Sequence, residues 1–310
     1  MPNTGTLLHG GIMVNYRCNA SCRHCLYNCS PARRGGYVDE RAAEKICTLL
    51  RKGGCRSVHI GGGEPFLNFD GLIVMIRALN RAGIKLDYIE TNAFWANDIS
   101  KSRDYLAMLL SEGVDALCIS LDPFHAEYVP YGLPLALAKL CDKTGMGYFL
   151  WKQEFLPSLS HLDPQKTHAI SADNVYAIAQ RYGITFGGRA VNIELRGSLY
   201  PAQKFVADNN PCKNLLSTGH FHVDMDCFFI PPGCTGIRIP LEEVIEDIPK
   251  GKYPAFDALF YGGVSSLYDL ALKHGFSPDE KGYPSKCNFC FFMRKFLNEK
   301  GFAELDVEHY

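Results

Sequence analysis

The chain has 310 residues, with 32 Lys plus Arg against 33 Asp plus Glu, and 47% of its residues are hydrophobic. A folded chain of this length buries about three quarters of the surface that its unfolded form exposes, so its core needs no disulfides. A net charge of -1 provides no general field for attracting nucleic acid or an anionic membrane. We therefore expect a soluble globular protein that binds neither nucleic acid nor a membrane.

The cysteine content and the first residues predict a cytoplasmic protein. No apolar run approaches the roughly 18 residues of a transmembrane helix, and residues 1–11 lack a basic segment followed by an apolar core. The 13 cysteines are an odd number and lie mostly in two groups. This pattern favours metal thiolates in a reducing compartment over a disulfide framework.

Short apolar runs alternate with helical stretches over the first two thirds of the chain. The predicted strands are 12–16, 57–60, 86–90, 116–121, 147–151 and 184–193, and the predicted helices are 39–51, 69–82, 100–111, 133–143 and 171–181. Repeated βα units predict parallel strands joined by right-handed crossovers. Because the chain has fewer units than a closed eight-stranded barrel, we expect an α/β fold with a partial, open (β/α)6 TIM-like barrel.

The βα alternation stops near Arg196, and we place a domain boundary there. The predicted domains are a barrel over 1–195 and a smaller C-terminal domain over 196–310, which is richer in Pro, Gly and aromatic residues. The second segment contains Cys212, Cys227, Cys234, Cys287 and Cys290. Its short pieces are too small for a large core, so a metal is the expected organiser.

The first cysteine group follows the first predicted strand. Cys18, Cys22 and Cys25 have a C-x3-C-x2-C spacing. Soft thiolates suit iron-sulfur clusters and zinc. Three thiolates on a [4Fe–4S] cluster leave one iron open, and an open position is typical of a catalytic metal site. Cys29 leaves open an alternative to this catalytic site, because a fourth thiolate would complete a structural zinc site or a simple electron-transfer cluster.

This spacing resembles that of the radical S-adenosylmethionine (SAM) superfamily, which has C-x3-C-x-aromatic-C after the first strand of a partial (β/α)6 barrel. His24 fills the aromatic position, and the resemblance covers about residues 11–195. It implies that Cys18, Cys22 and Cys25 bind three irons while the methionine moiety of SAM chelates the fourth. One electron, from a reducing partner such as flavodoxin or ferredoxin, would cleave SAM to methionine and a 5′-deoxyadenosyl radical that abstracts hydrogen.

Polar residues follow each of the first five predicted strands. They are Cys18, Glu64, Thr91, Asn92, Ser120, Asp122 and Lys152. The carboxyl ends of parallel strands meet at one rim, so we expect these side chains to lie close together. Asn92 is therefore a candidate cofactor-binding residue.

A glycine-rich turn at residues 61–65 has the wrong spacing for a dinucleotide-binding or Walker loop. The family resemblance implies that Gly62, Gly63 and Glu64 bind the methionine amino group of SAM. It also implies that Ser120 and Asp122 face the ribose hydroxyls. Arg189 is similar to an arginine that many family members direct at the methionine carboxylate, which a guanidinium binds with two hydrogen bonds.

The candidate catalytic residues are Asp122, His125 and Cys227. His125 and Glu127 are placed to contact substrate, although a surface-loop pair is the simpler interpretation of these two. Cys227 is a spare thiol, a substitute ligand or a hydrogen donor.

The second cysteine group contains a C-x2-C pair, Cys287 and Cys290, which with distant single cysteines can form a four-thiolate site for zinc or iron. The segment resembles a reduced SPASM or twitch extension, which carries auxiliary [4Fe–4S] clusters in many radical SAM enzymes. The resemblance implies a second cluster bound by Cys212, Cys234, Cys287 and Cys290, in a C-terminal iron-sulfur domain.

Three functions remain open at this point. The first is a radical SAM enzyme acting on a peptide or a small molecule; the absence of a recognition extension before Cys18 tilts the expectation slightly to a small molecule. The second is a glycyl-radical activating enzyme. Such enzymes usually have additional paired cysteines between the first cluster and the third strand, whereas only Cys29, Cys47 and Cys55 lie there in this chain, without paired spacing. The third is an iron-sulfur electron carrier or redox sensor, on which SAM would have no effect.

Overall fold

The computed structural model describes residues 5–33, 35–194, 196–207 and 209–310. An eight-stranded sheet has the order β5-β4-β3-β2-β1-β6-β7-β8. Its strands are β1 His9–Met13, β2 Ser57–Gly61, β3 Lys85–Thr91, β4 Ala116–Ser120, β5 Gly147–Trp151, β6 Phe221–Asp224, β7 Phe228–Ile230 and β8 Ile239–Pro240. The strands from β5 to β6 pair in parallel, and β7 and β8 pair antiparallel. The predicted α/β class with an open, mainly parallel sheet is confirmed.

Eleven α-helices lie in the described residues. They are α1 Glu40–Lys52, α2 Phe69–Ala82, α3 Ile99–Ser111, α4 Pro123–Ala126, α5 Gly132–Thr144, α6 Leu156–Leu159, α7 Ala172–Tyr182, α8 Ala202–Val206, α9 Leu241–Ile245, α10 Pro254–Lys273 and α11 Lys286–Glu299. Asp39, Asn68 and Asp98 begin α1, α2 and α3 by accepting a backbone N–H bond of the first turn. Each of the five predicted helices is present. None of the helices described is both long and apolar enough to cross a membrane.

The predicted sixth strand at residues 184–193 is wrong. Residues Gly188–Asn192 form a 3₁₀ turn instead. Gly188 has a φ of +53°, and a Cβ there would lie 2.2 Å from the Leu26 carbonyl oxygen, so the segment packs against the cysteine loop rather than beside β5. The sixth parallel strand is Phe221–Asp224, which pairs with β1 on the other side of the sheet.

The predicted division at residues 195 and 196 stays a prediction, and Leu195 itself lies outside the described residues. Strands β6 to β8, from the second segment, extend the sheet that β1 to β5 form. The two segments of the chain therefore share one sheet.

The two faces of the sheet differ in chemistry. Ile12, Ile60 and Ile89 are fully buried and belong to the core that the helices cover. The alternating positions place Gly11 beside His59 across the β1–β2 pair, and Glu90 beside Cys118 across the β3–β4 pair. Since successive side chains of a strand point to opposite faces, these polar residues lie on the face away from that core.

Candidate functional site

A cavity of about 400 Å³ collects most of the residues that the sequence predicts at the carboxyl ends of the strands. Its lining includes Cys18, Cys22, Cys25, Gly62, Gly63, Glu64, Thr91, Asn92, Ser120 and His125. Cavities that bind small molecules typically measure roughly 300 to 1,000 Å³. The size and the polar lining therefore suit a cofactor.

Three thiols face this cavity from the loop after β1. Cys18 and Cys22 are buried and Cys25 is partly buried. The Cys18 sulfur accepts the Ala20 backbone N–H at 3.4 Å and the Asn92 Nδ2 amide at 3.7 Å. Soft donors that converge on one cavity have the chemistry that an iron-sulfur cluster requires.

Cys29 lies next to Cys25 and also lines the cavity. Its backbone N–H donates to the Cys25 sulfur at 3.3 Å. A hydrogen bond between the two thiols holds the pKa of Cys25 below its ordinary value and raises that of Cys29. The fourth cysteine is thus in direct contact with Cys25 and lines the same cavity as the other two thiols.

The glycine-rich turn after β2 packs directly on the cysteine loop. The Gly63 N–H donates to both the backbone oxygen and Oδ1 of Asn15, each at 3.0 Å. A Cβ on Gly63 would lie 2.0 Å from the Arg17 carbonyl oxygen, and Gly62 has a φ of +143°. Close backbone approach therefore requires glycine at both positions.

Glu64 is a buried carboxylate at the edge of the cavity. Its oxygens accept the Thr91 hydroxyl at 2.9 Å and the Asn92 backbone N–H at 2.7 Å. Burial raises the pKa of Glu64 to about 7, against the hydrogen bonds, which lower it. A cation placed beside this group would stabilise its charged form.

Asp122 and His125 form a tight pair after β4. Asp122 Oδ2 lies 2.6 Å from His125 Nδ1, and Asp122 Oδ1 accepts the backbone N–H groups of Phe124 and His125. Burial lowers the pKa of His125, but Asp122 and Cys22 stabilise the imidazolium and the net pKa is well above its ordinary value. His125 lines the cavity, and Asp122 orients its ring.

His24, in the aromatic position of the cysteine motif, lies in an aromatic cluster. Its ring centroid is 4.8 Å from that of Phe124 and 4.8 Å from that of Tyr182. Burial lowers the pKa of His24 to about 4, so the ring is neutral at pH 7. It occupies the position of an aromatic residue in packing as well as in sequence.

Arg189 contacts the cysteine loop. Its guanidinium donates to the Cys22 carbonyl oxygen at 2.8 Å and to the Cys29 carbonyl oxygen, and its backbone N–H donates to the Cys25 carbonyl at 3.0 Å. Both amino groups of the guanidinium are thereby used in holding the loop. The role at the methionine carboxylate stays a prediction.

Two of the other candidates lie away from the cavity. Cys227 lies in the turn between β6 and β7, with a φ of +67°, and is not among the residues that line the cavity. Glu127 pairs with Arg23 at 3.0 Å and accepts the Ile170 backbone N–H. The structure therefore groups His125 with the cysteine loop but separates Cys227 from it.

The second cysteine group lines a separate cavity of about 40 Å³. Cys212, Cys234, Cys287 and Cys290 converge there from distant segments of the chain. A hydrogen bond between the Cys212 and Cys234 thiols lowers the pKa of Cys212. Arg294 is buried and lines the same cavity, so a positive charge lies beside the four thiols.

Several cavity residues were not predicted from the sequence. Tyr27, Glu90, Cys118 and His222 line the same cavity, and the Tyr27 hydroxyl lies 2.8 Å from His222 Nδ1. Glu90 is a charged residue one position before the end of β3, and a charge at that place is a sequence signal for a polar inner face. The position of His222 at the cavity could be predicted only from the pairing of β1 with β6.

Comparisons with known proteins agree with the cysteine motif. Residues 12–144 match the family model described as "Radical SAM superfamily". The "Putative peptide biosynthesis protein YydG" of Bacillus subtilis (strain 168) is 30% identical over 118 residues, which are 38% of this chain and 37% of that protein. The "Probable GTP 3′,8-cyclase" of Methanothermobacter thermautotrophicus is 25% identical over 116 residues, 37% of this chain and 35% of that protein. The aligned part thus spans little more than a third of each relative.

Solved structures share a lower sequence identity with this chain than the two relatives do. Native anSMEcpe with bound AdoMet has a TM-score of 0.48 and 13% identity, over 97% of this chain and 93% of that chain. Streptococcus suis SuiB has a TM-score of 0.48 and 15% identity, over 91% of this chain and 77% of that chain. The family match, by contrast, begins in β1 and runs to the end of α5, so residues 12–144, which include the cysteine loop and the glycine-rich turn, are similar to the radical SAM domain.

Proposed function

We propose that this chain is an enzyme that reductively cleaves SAM at a [4Fe–4S] cluster and abstracts hydrogen from a peptide or small-molecule substrate. The radical SAM domain implies SAM and a [4Fe–4S] cluster as cofactors. The observation that carries the proposal is the convergence of Cys18, Cys22 and Cys25 on the cavity that Gly63 and Glu64 also line. When bound, the cluster supplies the electron that splits the sulfonium of SAM and releases a 5′-deoxyadenosyl radical.

The residues around the cavity fit these cofactors. The three thiols are the donors for the cluster, and Asn92 donates to the Cys18 sulfur, which fixes its orientation. Glu64, whose burial raises its pKa, accepts the ammonium group of the methionine moiety and becomes charged beside it. Ser120 lines the cavity, where its hydroxyl is available to the ribose.

Other side chains orient the site. Arg189 holds the carbonyl groups of Cys22 and Cys29, and so keeps the cysteine loop closed around its ligands. Asp122 fixes the ring of His125, which faces the cavity and contacts the substrate or the adenosyl group. These residues determine where a substrate hydrogen is presented.

A second [4Fe–4S] cluster is proposed at Cys212, Cys234, Cys287 and Cys290. Their convergence on one small cavity supports a four-thiolate site. Arg294 and Lys286 line the same cavity, and their charges offset the negative charge of a thiolate-bound cluster. Zinc is the alternative occupant, and iron and sulfide analysis distinguishes the two.

The names of the two relatives point to two substrate classes, a peptide and a small molecule. The name of the Bacillus subtilis relative supports a peptide, and that of the archaeal relative supports a nucleotide-sized molecule. The exposed ring of Trp151 lies at the edge of the cavity, where its Nε1 donates to the Tyr182 hydroxyl at 2.9 Å. Exposed aromatic rings at a cavity edge suit the side chains of a peptide, so we favour a peptide.

Anaerobic reconstitution followed by iron counting and by assay with dithionite and SAM tests the proposal. We expect about eight irons per chain for two clusters, and 5′-deoxyadenosine as a product. Cys18→Ala should abolish 5′-deoxyadenosine, whereas Cys141→Ala, which removes a buried thiol on α5 outside the cavity, should not. Formation of 5′-deoxyadenosine by the Cys18→Ala chain would contradict the proposal.

A further inference from the structure

Histidine side chains from three adjacent strands cluster on the inner face of the sheet. They are His9 on β1, His59 on β2, and His220 and His222 at β6. The ring centroids of His59 and His220 are 5.2 Å apart, and those of His9 and His59 are 5.6 Å apart. A group of imidazoles in the interior of a sheet, where apolar residues normally pack, needs an explanation that the proposed chemistry does not provide.

Gly11 creates the space in which these rings meet. In the register of the sheet, Gly11 lies between His59 on one side and His222 on the other. A Cβ on Gly11 would lie 2.4 Å from His59 Nε2 and 2.6 Å from His222 Nε2. The missing side chain lets the two ring nitrogens approach to 3.3 Å.

Three ring nitrogens of this cluster lie close enough together for side-chain rotations to bring them onto one metal ion. His9, His59 and His220 each offer a ring nitrogen within 4.8 Å of the other two. Tetrahedral zinc with bonds of about 2.0 to 2.1 Å to histidine places its nitrogens roughly 3.4 Å apart, which small side-chain rotations can reach. His59 is fully buried, and its Nδ1 makes no hydrogen bond of ordinary geometry with any described residue.

A carboxylate beside His9 supports a metal site. Asp87 Oδ2 lies 3.2 Å from His9 Nδ1, which favours the tautomer with a free Nε2. A carboxylate in this position is typical of metal-binding histidines.

We propose that His9, His59 and His220 bind a divalent transition metal of the zinc type, with the fourth position open. His9 and His220 are solvent-accessible, so an ion can enter without opening the core. His220 and His222 also line the main cavity, so the open position faces the space in which the substrate is proposed to bind. The three histidines are separate from the two cysteine groups.

Cobalt titration of the full chain tests this site, after both cysteine groups have been filled by anaerobic reconstitution. We expect one Co²⁺ per chain with visible absorption bands typical of nitrogen and oxygen ligands, displaced by one Zn²⁺. His9→Gln and His220→Gln, at accessible positions, should weaken Co²⁺ binding by at least about tenfold. His161→Gln, an exposed histidine outside the cluster, is the matched control and should bind like the unmodified chain.

Three outcomes would overturn the proposal: no Co²⁺ binding, binding with a thiolate charge-transfer band, or binding that His9→Gln and His220→Gln leave unchanged. Zinc should also raise the thermal unfolding midpoint of the unmodified chain by more than that of either variant. The 5′-deoxyadenosine assay is read separately, so failure of this metal site and failure of the SAM chemistry are distinguishable.

Discussion

Replacing Gly63 by alanine should disturb the contact between the glycine-rich turn and the cysteine loop. The added Cβ would lie 2.0 Å from the Arg17 carbonyl oxygen, 2.4 Å from the Arg17 carbonyl carbon and 3.0 Å from the Cys18 nitrogen. These are backbone atoms, and favourable contact distances are about 3.5 to 4.0 Å, so the loops must separate by more than an ångström. Overpacking of this kind lowers the free energy of unfolding by roughly 1 to 3 kcal/mol.

Thermal unfolding of the reconstituted chain, together with its iron content, measures this effect. A loss of roughly 1 to 3 kcal/mol corresponds to a fall of about 2 to 5 °C in the unfolding midpoint for a chain of this size. Because Cys18 moves with the loop, we also expect less iron and less 5′-deoxyadenosine. Gly36→Ala is the control, since Gly36 is exposed and no described atom lies within 4 Å of its Cβ position. Equal midpoints and iron contents for the two variants would refute the steric reasoning.

Three further substitutions test individual contacts. Cys29→Ser should keep the first cluster and 5′-deoxyadenosine formation, because three thiolates suffice, and loss of that cluster's iron would instead favour the four-ligand site. Arg189→Ala frees the carbonyl groups of the cysteine loop, so iron content should fall; an unchanged iron content with a raised KM for SAM would favour the carboxylate role. Burial raises the pKa of Glu64 from 4.5 to about 7. Between these two pH values the folded cofactor-free chain holds a proton that the unfolded chain has released. Its free energy of unfolding should therefore fall as the pH rises from about 4.5 to about 7. Glu64→Gln should reduce this slope in urea unfolding, and a slope as steep as that of the unmodified chain would count against the assignment.

The sequence predicted the parts of the site that local chemistry determines. The spacing of Cys18, Cys22 and Cys25, and the glycines before Glu64, imply a loop and a turn whose roles depend on near neighbours in the chain. Because parallel strands bring their carboxyl ends to one rim, Asn92 and Ser120 were placed at the same cavity without knowledge of their contacts. These residues line the cavity in the structure.

The features that were missed depend on contacts between distant segments. Residues 184–193 have the composition of a strand, but Gly188 packs on the Leu26 carbonyl, and that contact excludes an extended conformation. The pairing of Phe221–Asp224 with β1 rests on four residues, too few for a clear alternation. The meeting of His59 and His222 over Gly11 follows from that pairing, so no local pattern could show it.

We propose that Cys18, Cys22 and Cys25 bind a cluster that has one iron open to SAM. The most direct measurement is the electron paramagnetic resonance spectrum of the dithionite-reduced Cys287→Ala/Cys290→Ala chain, which isolates the first cluster. We predict that adding SAM changes the g values of this cluster. Identical spectra with and without SAM would contradict the claim.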